Sequence, residues 1–288
     1  MKKGGTVQEE FDRALNKNGL PQEDDTYTLD KIEFGEELGK GAFGLVSRGT
    51  FYPDGKRKKG ETIAIKTIEK RKVARSGLLK QLALEILVHR SLISSNIIRF
   101  YGFQQDEDYV YFFIEHANQG DLVDYMSKHE PDERGVAEIM RRVGLAIEMC
   151  HDYGIVHRDL KPENILMNND RPKLTDFGYC DKIGSDGYCK NDLRCGTIDF
   201  MSPEMINDEQ CGYPVDVWAF GAIIYDLLVG QAPFYAQSKR ETYWKIQNAN
   251  LDWYHPKIAN VKPLLRTIFI IDPFERATIE EVLASDWL

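Results

Sequence analysis

Cysteine is scarce, with five in 288 residues and no CxxC spacing among them. An odd, dispersed set supplies neither a disulfide framework nor a thiolate zinc site, and it fits a reducing compartment. Long apolar runs are missing too. The longest, around Ala219 to Val229, is interrupted by Asp226 and falls short of the roughly 20 apolar residues a bilayer span needs. Positive charge is in deficit: 37 Lys and Arg against 46 Asp and Glu leave a net charge of −9, without the basic face that nucleic-acid binding requires. Lys56-Arg57-Lys58-Lys59 is a local exception; beside Pro53, Asp54 and Gly55 it reads as a solvated hairpin loop, with a nuclear-import patch as the alternative. Met1-Lys2-Lys3-Gly4-Gly5 leads into polar residues without a signal-peptide pattern, so a cytoplasmic or nuclear location is expected. Repeats and low-complexity tracts are absent. What is present is 42% apolar residues, ample for one large or two modest domains.

The informative part is a pair of motifs. His157-Arg158-Asp159-Leu160-Lys161-Pro162-Glu163-Asn164 is followed a dozen residues later by Asp176-Phe177-Gly178. Together they supply two hard oxygen ligands for Mg²⁺, Asn164 and Asp176, and a proton acceptor, Asp159, with Lys161 placed to neutralise charge on a phosphoryl group in transfer from ATP. Asp, Asn and Gly also favour ordinary turns, and a lone DFG would read that way. Both motifs in this order and spacing do not.

Upstream, Leu38-Gly39-Lys40-Gly41-Ala42-Phe43-Gly44-Leu45-Val46 is a GxGxxGxV sequence. A dinucleotide site would need a helix directly after the third glycine and an acid about 20 residues on. Instead, Leu45-Val46 and Thr62-Ile63-Ala64-Ile65-Lys66 read as strands, so the glycines are expected at a hairpin tip whose backbone N–H groups can approach phosphate. No Gly-Lys-Ser/Thr closes the loop as in a Walker A motif. Lys66 ends an apolar strand and is costly to bury alone. Leu78, Leu82, Glu85 and His89 share one face of a predicted helix from Leu78 to Ser91. Either Glu85 pairs with Lys66 or both charges reach solvent.

These motifs resemble those of eukaryotic protein kinases, over roughly Ile32 to Leu288. The resemblance implies an α+β, bilobal protein kinase fold, with a small β-rich N-lobe containing one key helix, a larger and mainly helical C-lobe, and ATP with Mg²⁺ in the cleft. By position, Lys66 would hold the α- and β-phosphates and Glu85 would orient it, under a loop formed by Leu38, Gly39, Gly41, Ala42, Phe43 and Gly44. Val46, Ala64 and Leu166 would sandwich the adenine, Ile114 would back its pocket, and the Glu115 and Ala117 backbones would hydrogen-bond it. Asp121 falls where many kinases place an acid near the ribose. Catalysis would rest on Asp159, Lys161, Asn164 and Lys66.

Cys195-Gly196-Thr197 and Met201-Ser202-Pro203-Glu204 resemble the end of an activation segment, with Arg276 at the position of the buried partner of Glu204. Asp216 opens an apolar stretch through Leu228 that reads as core packing, with or without the resemblance. Lys161 and Thr197 favour Ser/Thr acceptors over Tyr. Glu163 and Asp226 either face basic residues in the substrate or are solvated surface acids. Asn96 to Gly102, Gly120-Asp121-Leu122 and the ending Asp286-Trp287-Leu288 resemble calmodulin-dependent-like kinases, including checkpoint and testis-specific types. Glu241 to Ile246 and Cys195 to Phe200 lean toward Aurora kinases, although Tyr179 stands where those carry Trp. Both branches stay open.

Many kinases are switched on by phosphorylation of a Thr that pairs with the HRD arginine, here Arg158, but the equivalent position is Leu193. The expectation is an activation segment ordered without phosphate, with Asp192 as a candidate partner for Arg158. The expected organisation is a polar segment 1–29, forming a short helix or a mobile tail anchored by Phe11, Leu15 and Leu20, then an N-lobe at 30–114 and a C-lobe at 115–288. Protein substrates and a regulatory protein on the N-lobe are the expected partners of a monomeric catalytic domain, with neither nucleic acid nor membrane. A pseudokinase scaffold would have lost catalytic groups, yet Lys66, Glu85, Asp159, Asn164 and Asp176 are all present. A small-molecule kinase would tend to lack the docking signals at Thr197, Glu204 and Arg276.

Overall fold

A computed structural model describes residues 6–24, 26–41, 43–55, 59–190 and 196–288; Ala42, the Lys56-Arg57-Lys58 patch, Asp192, Leu193 and Cys195 lie outside the described residues. The chain divides into two compact units, Met1–Ser94 with Ile98–Asn118, and Ser95–Ile97 with Gln119–Leu288.

In chain order the first unit holds helix α1 (Val7–Lys17), strands β1 (Ile32–Lys40), β2 (Gly44–Phe51) and β3 (Glu61–Glu69), helices α2 (Lys70–Arg75) and α3 (Leu79–Ser91), and strands β4 (Phe100–Gln105) and β5 (Tyr109–Glu115). Among the described residues its sheet has five strands in the order β1-β2-β3-β5-β4, with adjacent strands antiparallel. Alternation along β3 decides its faces: Ile63 and Ile65 join Ile32, Phe51 and Phe113 in one buried cluster, covered by Tyr27, Leu29, Tyr101 and Tyr111. The intervening Ala64 and Lys66 therefore point to the opposite face. The segment left open between helix and tail folds as α1. Thr6 and Glu9 form a reciprocal capping box at its start, and Phe11, Ala14 and Leu15, at i, i+3 and i+4, are buried.

The second unit holds α4 (Leu122–His129), α5 (Glu133–Asp152), β6 (Ile155–Val156), β7 (Ile165–Asn168), β8 (Arg171–Leu174), β9 (Asp181–Lys182), α6 (Pro203–Ile206), α7 (Pro214–Val229), α8 (Lys239–Gln247), α9 (Lys262–Ile268) and α10 (Ile279–Leu283). Strands β7 and β8 form one hairpin, and β6 pairs with β9. Helix α7 is buried on nearly every side from Val215 to Tyr225, as its apolar sequence requires of a central helix. Pro214 opens it, and Gly230, at φ 92°, closes it in the left-handed conformation. No helix among the described residues is long and apolar enough to cross a membrane.

Candidate active site

In the first unit, sheet register gathers one set of expected residues. Val46 lies opposite Lys66, which lies opposite Phe112, and Ala64 lies opposite Ile114. Directly opposed residues project from the same face, so Val46, Ala64, Lys66 and Ile114 share a surface. Lys66 Nζ is 2.8 Å from Glu85 Oε1, and the Glu85 side chain is only 6% exposed. The choice between an ion pair and two solvated ends is thus settled for the pair. At the β1–β2 hairpin, the Gly41 N–H donates to the Gly44 carbonyl at 2.9 Å. A Cβ on Gly39 would meet nothing within 4 Å, whereas one on Gly44 would fall 1.7 Å from the Thr67 carbonyl oxygen. Packing against β3 therefore demands glycine at 44. Among the described residues, nothing demands it at 39. Phe43 is half-buried and Leu38 is 45% exposed. Glu115 is tied to Arg99 through its N–H, which donates to the Arg99 carbonyl at 2.9 Å, and its carboxylate, which accepts from the Arg99 N–H at 3.1 Å. Ala117 is half-buried.

In the second unit, both motifs carry a non-glycine residue in the left-handed region, Arg158 at φ 65° and Asp176 at φ 61°. Such backbone is held only where the surroundings enforce it, and it concentrates at functional sites. At Arg158 the enforcement comes from Asp216, in the first turn of α7. Its Oδ1 accepts from the Arg158 N–H at 2.9 Å, and its Oδ2 accepts from the His157 N–H at 2.8 Å and lies 3.0 Å from His151 Nε2. Burial alone would push the Asp216 carboxyl up, but the hydrogen bond and charge from His151, with His157, hold it below the usual carboxylate range. The sequence reading missed this role. The available signal was a carboxylate at the head of a helix otherwise destined for burial.

The loop so held presents a closed polar set. Asp159 Oδ2 is 2.9 Å from Lys161 Nζ and accepts from Asn164 Nδ2 at 3.1 Å. Asn164 Nδ2 also donates to the Asp159 carbonyl at 2.7 Å. Thr197 completes the set: its N–H donates to Asp159 Oδ1 at 3.1 Å, and Lys161 Nζ donates to its hydroxyl at 3.1 Å. Asn164 thus spends its amide nitrogen on Asp159, which leaves its amide oxygen as a hard donor. No cluster of three or more His, Cys, Asp or Glu suited to a metal occurs among the described residues. One carboxylate and one amide oxygen, with phosphates and water, are the kind of set Mg²⁺ takes, so Asn164 and Asp176 fit that ion.

Other expected residues have additional duties. Asp121 caps α4 by accepting from the Asp124 N–H at 2.9 Å, and it bridges to Leu166 on β7. Arg158 donates from Nε to the Tyr179 carbonyl at 2.8 Å and lies 3.8 Å from Asp181 Oδ2, with both side chains at most 2% exposed. Asp181 was not foreseen as its partner. Glu204 and Arg276 pair through the two terminal guanidinium nitrogens at 2.7 and 3.0 Å. Asp226 lines a groove of about 850 Å³ with Glu130, Asp132, Glu133 and Pro162. Burial, then the like charges of Glu163 and Asp199, push its carboxyl up to about 6.

The protein kinase domain model matches residues 32–288. Mouse Aurora kinase C is 31% identical over 91% of this chain and 93% of its own length. An Aurora kinase of Candida glabrata is 34% identical over 96% of this chain and 76% of its own. A probable myosin light chain kinase of Dictyostelium discoideum is 34% identical over 92% of this chain and 68% of its own.

Proposed function

Because the chain belongs to the protein kinase family and is a Ser/Thr protein kinase that uses ATP, we propose that Asp159 receives the proton of the acceptor hydroxyl, with Lys161 beside it to neutralise the moving phosphoryl group. The observation that carries this reading is the closed hydrogen-bonded set of Asp159, Lys161, Asn164 and Thr197. Such positioning, rather than covalent chemistry, is what phosphoryl transfer asks of a protein. In the first unit, Lys66, steadied by Glu85, would hold phosphate oxygens, and Val46, Ala64 and Ile114 would face the base. Gly39 supports a backbone approach to phosphate, since no contact among the described residues explains its missing side chain. Asn164 and Asp176 would hold Mg²⁺, which when bound neutralises phosphate charge.

The preferred acceptor is a Ser or Thr flanked by basic residues. Asp226, Glu163 and Asp199 crowd like charge together, and a cationic side chain would relieve it. At neutral pH the ionised Asp226 costs the fold stability, and that cost is lifted as pH falls through about 6 or when a cation pairs with it. Transfer of labelled γ-phosphate to a degenerate Ser/Thr peptide library should therefore enrich Arg-containing peptides. Their KM should rise as pH drops below about 6 in the wild type. Asp226→Asn should flatten that dependence, and an unbiased library would refute the preference.

Activity does not require phosphorylation of the segment after Gly178. The buried Arg158–Asp181 pair supports this, since it gives the arginine an internal counter-charge. Turnover should be unchanged after exhaustive phosphatase treatment. Loss of turnover would redirect attention to Ser185, Tyr188 or Thr197.

A further inference from the structure

Helix α1 and the residues after it touch both elements that carry the Lys66–Glu85 pair. Helix α1 packs on α3, which bears Glu85, and on α2, which continues directly from the strand bearing Lys66. Burial on α3 is spread around the helix, including Leu79, Ala83, Ile86 and Val88, so cover on the sheet side alone cannot account for it. Helix α3 also has no side-chain cap at its N-terminus. Its placement depends on its neighbours.

The second contact is a buried lysine. Lys70, four residues beyond Lys66, is fully buried. Its ammonium donates to Gln8 Oε1 on α1 and to the Asp106 carbonyl, and to Gln105 Oε1 on β4 at 2.7 Å. It also lies 5.5 Å from the centre of the Phe11 ring. Gln8 and Gln105 in turn both donate to Asp12 Oδ1, at 2.8 and 3.2 Å. A buried charge satisfied this fully is poor value as a stabiliser and is best attested as a device that fixes register. Here it fixes α1 against the end of β3.

The strap then returns to α3. Asp24 accepts from the Phe103 N–H at 3.0 Å and lies 2.7 Å from Arg90, near the end of α3. Further along, the Leu29 N–H donates to Gln104 Oε1 at 2.8 Å.

We propose that residues 6–24 and 26–29 are a built-in clamp that sets the Lys66–Glu85 ion pair for nucleotide, with Phe11 and Lys70 as positioning residues that touch no substrate. Phe11, fully buried on α1, packs under the Lys70 ammonium, Lys70 locks α1 to the helix that follows directly from the strand of Lys66, and Asp24 holds the far end of α3. The clamp rests on the assignment of Lys66 and Glu85 to ATP. A wild-type chain without ATP-dependent transfer would sink that assignment, and this is read before any variant.

The test compares Phe11→Ala in the otherwise unaltered full chain and in Glu85→Gln, measuring kcat and KM for ATP with a Ser/Thr peptide. If the clamp acts through the ion pair, Phe11→Ala lowers kcat/KM at least about tenfold in the first background and by less than about twofold in the second. Hydrogen exchange of the α3 amides should accelerate in parallel. A merely structural helix gives the same loss in both backgrounds, and that outcome, like full activity of Phe11→Ala, overturns the proposal. If Phe11→Ala fails to fold, Asp24→Asn takes its place, because it loosens the strap without opening a cavity. The expected loss is then roughly threefold, confined to the chain that keeps Glu85.

Discussion

Asp159→Asn is expected to lower kcat by roughly 10²–10⁴-fold while leaving the affinity for ATP within about twofold of wild type. The substitution preserves size, and the Asn carbonyl oxygen can still accept the Thr197 N–H that Asp159 Oδ1 receives at 3.1 Å. It removes two things. The acceptor hydroxyl loses the base that takes its proton, and an amide N–H₂ is set against Lys161 Nζ, which now sits 2.9 Å from a carboxylate oxygen. ATP contacts attributed to the first unit are untouched, so nucleotide titration and peptide turnover should separate. Wild-type activity that survives the substitution would remove Asp159 from the mechanism.

The second large effect is on stability. Glu204→Gln, or Arg276→Met with Glu204 retained, is expected to destabilise the second unit by about 3–5 kcal/mol, because either leaves a buried charge without its counter-ion. The Arg276 and Glu204 side chains are 0% and 2% exposed, so neither water nor salt can compensate. Arg276 also packs 4.9 Å above the Trp218 ring and donates to the Pro214 carbonyl at 2.8 Å. Urea unfolding followed by tryptophan fluorescence would measure the loss. A double replacement by apolar residues should recover part of it, because desolvation is no longer demanded of either group. A single-substitution cost below about 1 kcal/mol would mean the site admits water or neutralises itself.

What the sequence made legible was chemistry written in short motifs. Lys66 and Glu85 came forward because a charge in an apolar setting must find a partner, Asp159 with Lys161 and Asn164 through motif order and spacing, and Glu204 with Arg276 through the family resemblance. The helix around Glu85 was legible for a related reason, since Leu82, Glu85 and His89 repeat at helical spacing, and all three are buried. What stayed hidden were polar groups whose partners are backbone atoms or lie far off in sequence with no motif to mark them. Asp216 serves the His157 and Arg158 amides, nearly 60 residues away. Asp181 meets Arg158 only because β6 and β9 pair. Lys70 carries no mark in the local sequence, and its ammonium meets a helix more than 50 residues upstream. No local periodicity reports such closures.

Two of the bonds made by Asp216 tie the backbone of the catalytic loop to the head of the central helix. Residues that line α7, such as Trp218, Phe220 and Ile224, therefore answer to two constraints at once. A change there that tilts the helix by a fraction of an ångström carries the amides of His157 and Arg158 with it. In a population of random variants selected for turnover, α7 would register as intolerant along its whole buried length, although none of its side chains is assigned to the nucleotide. Tolerance to mutation, read without the structure, would thus draw the boundary of the active site well inside the hydrophobic core.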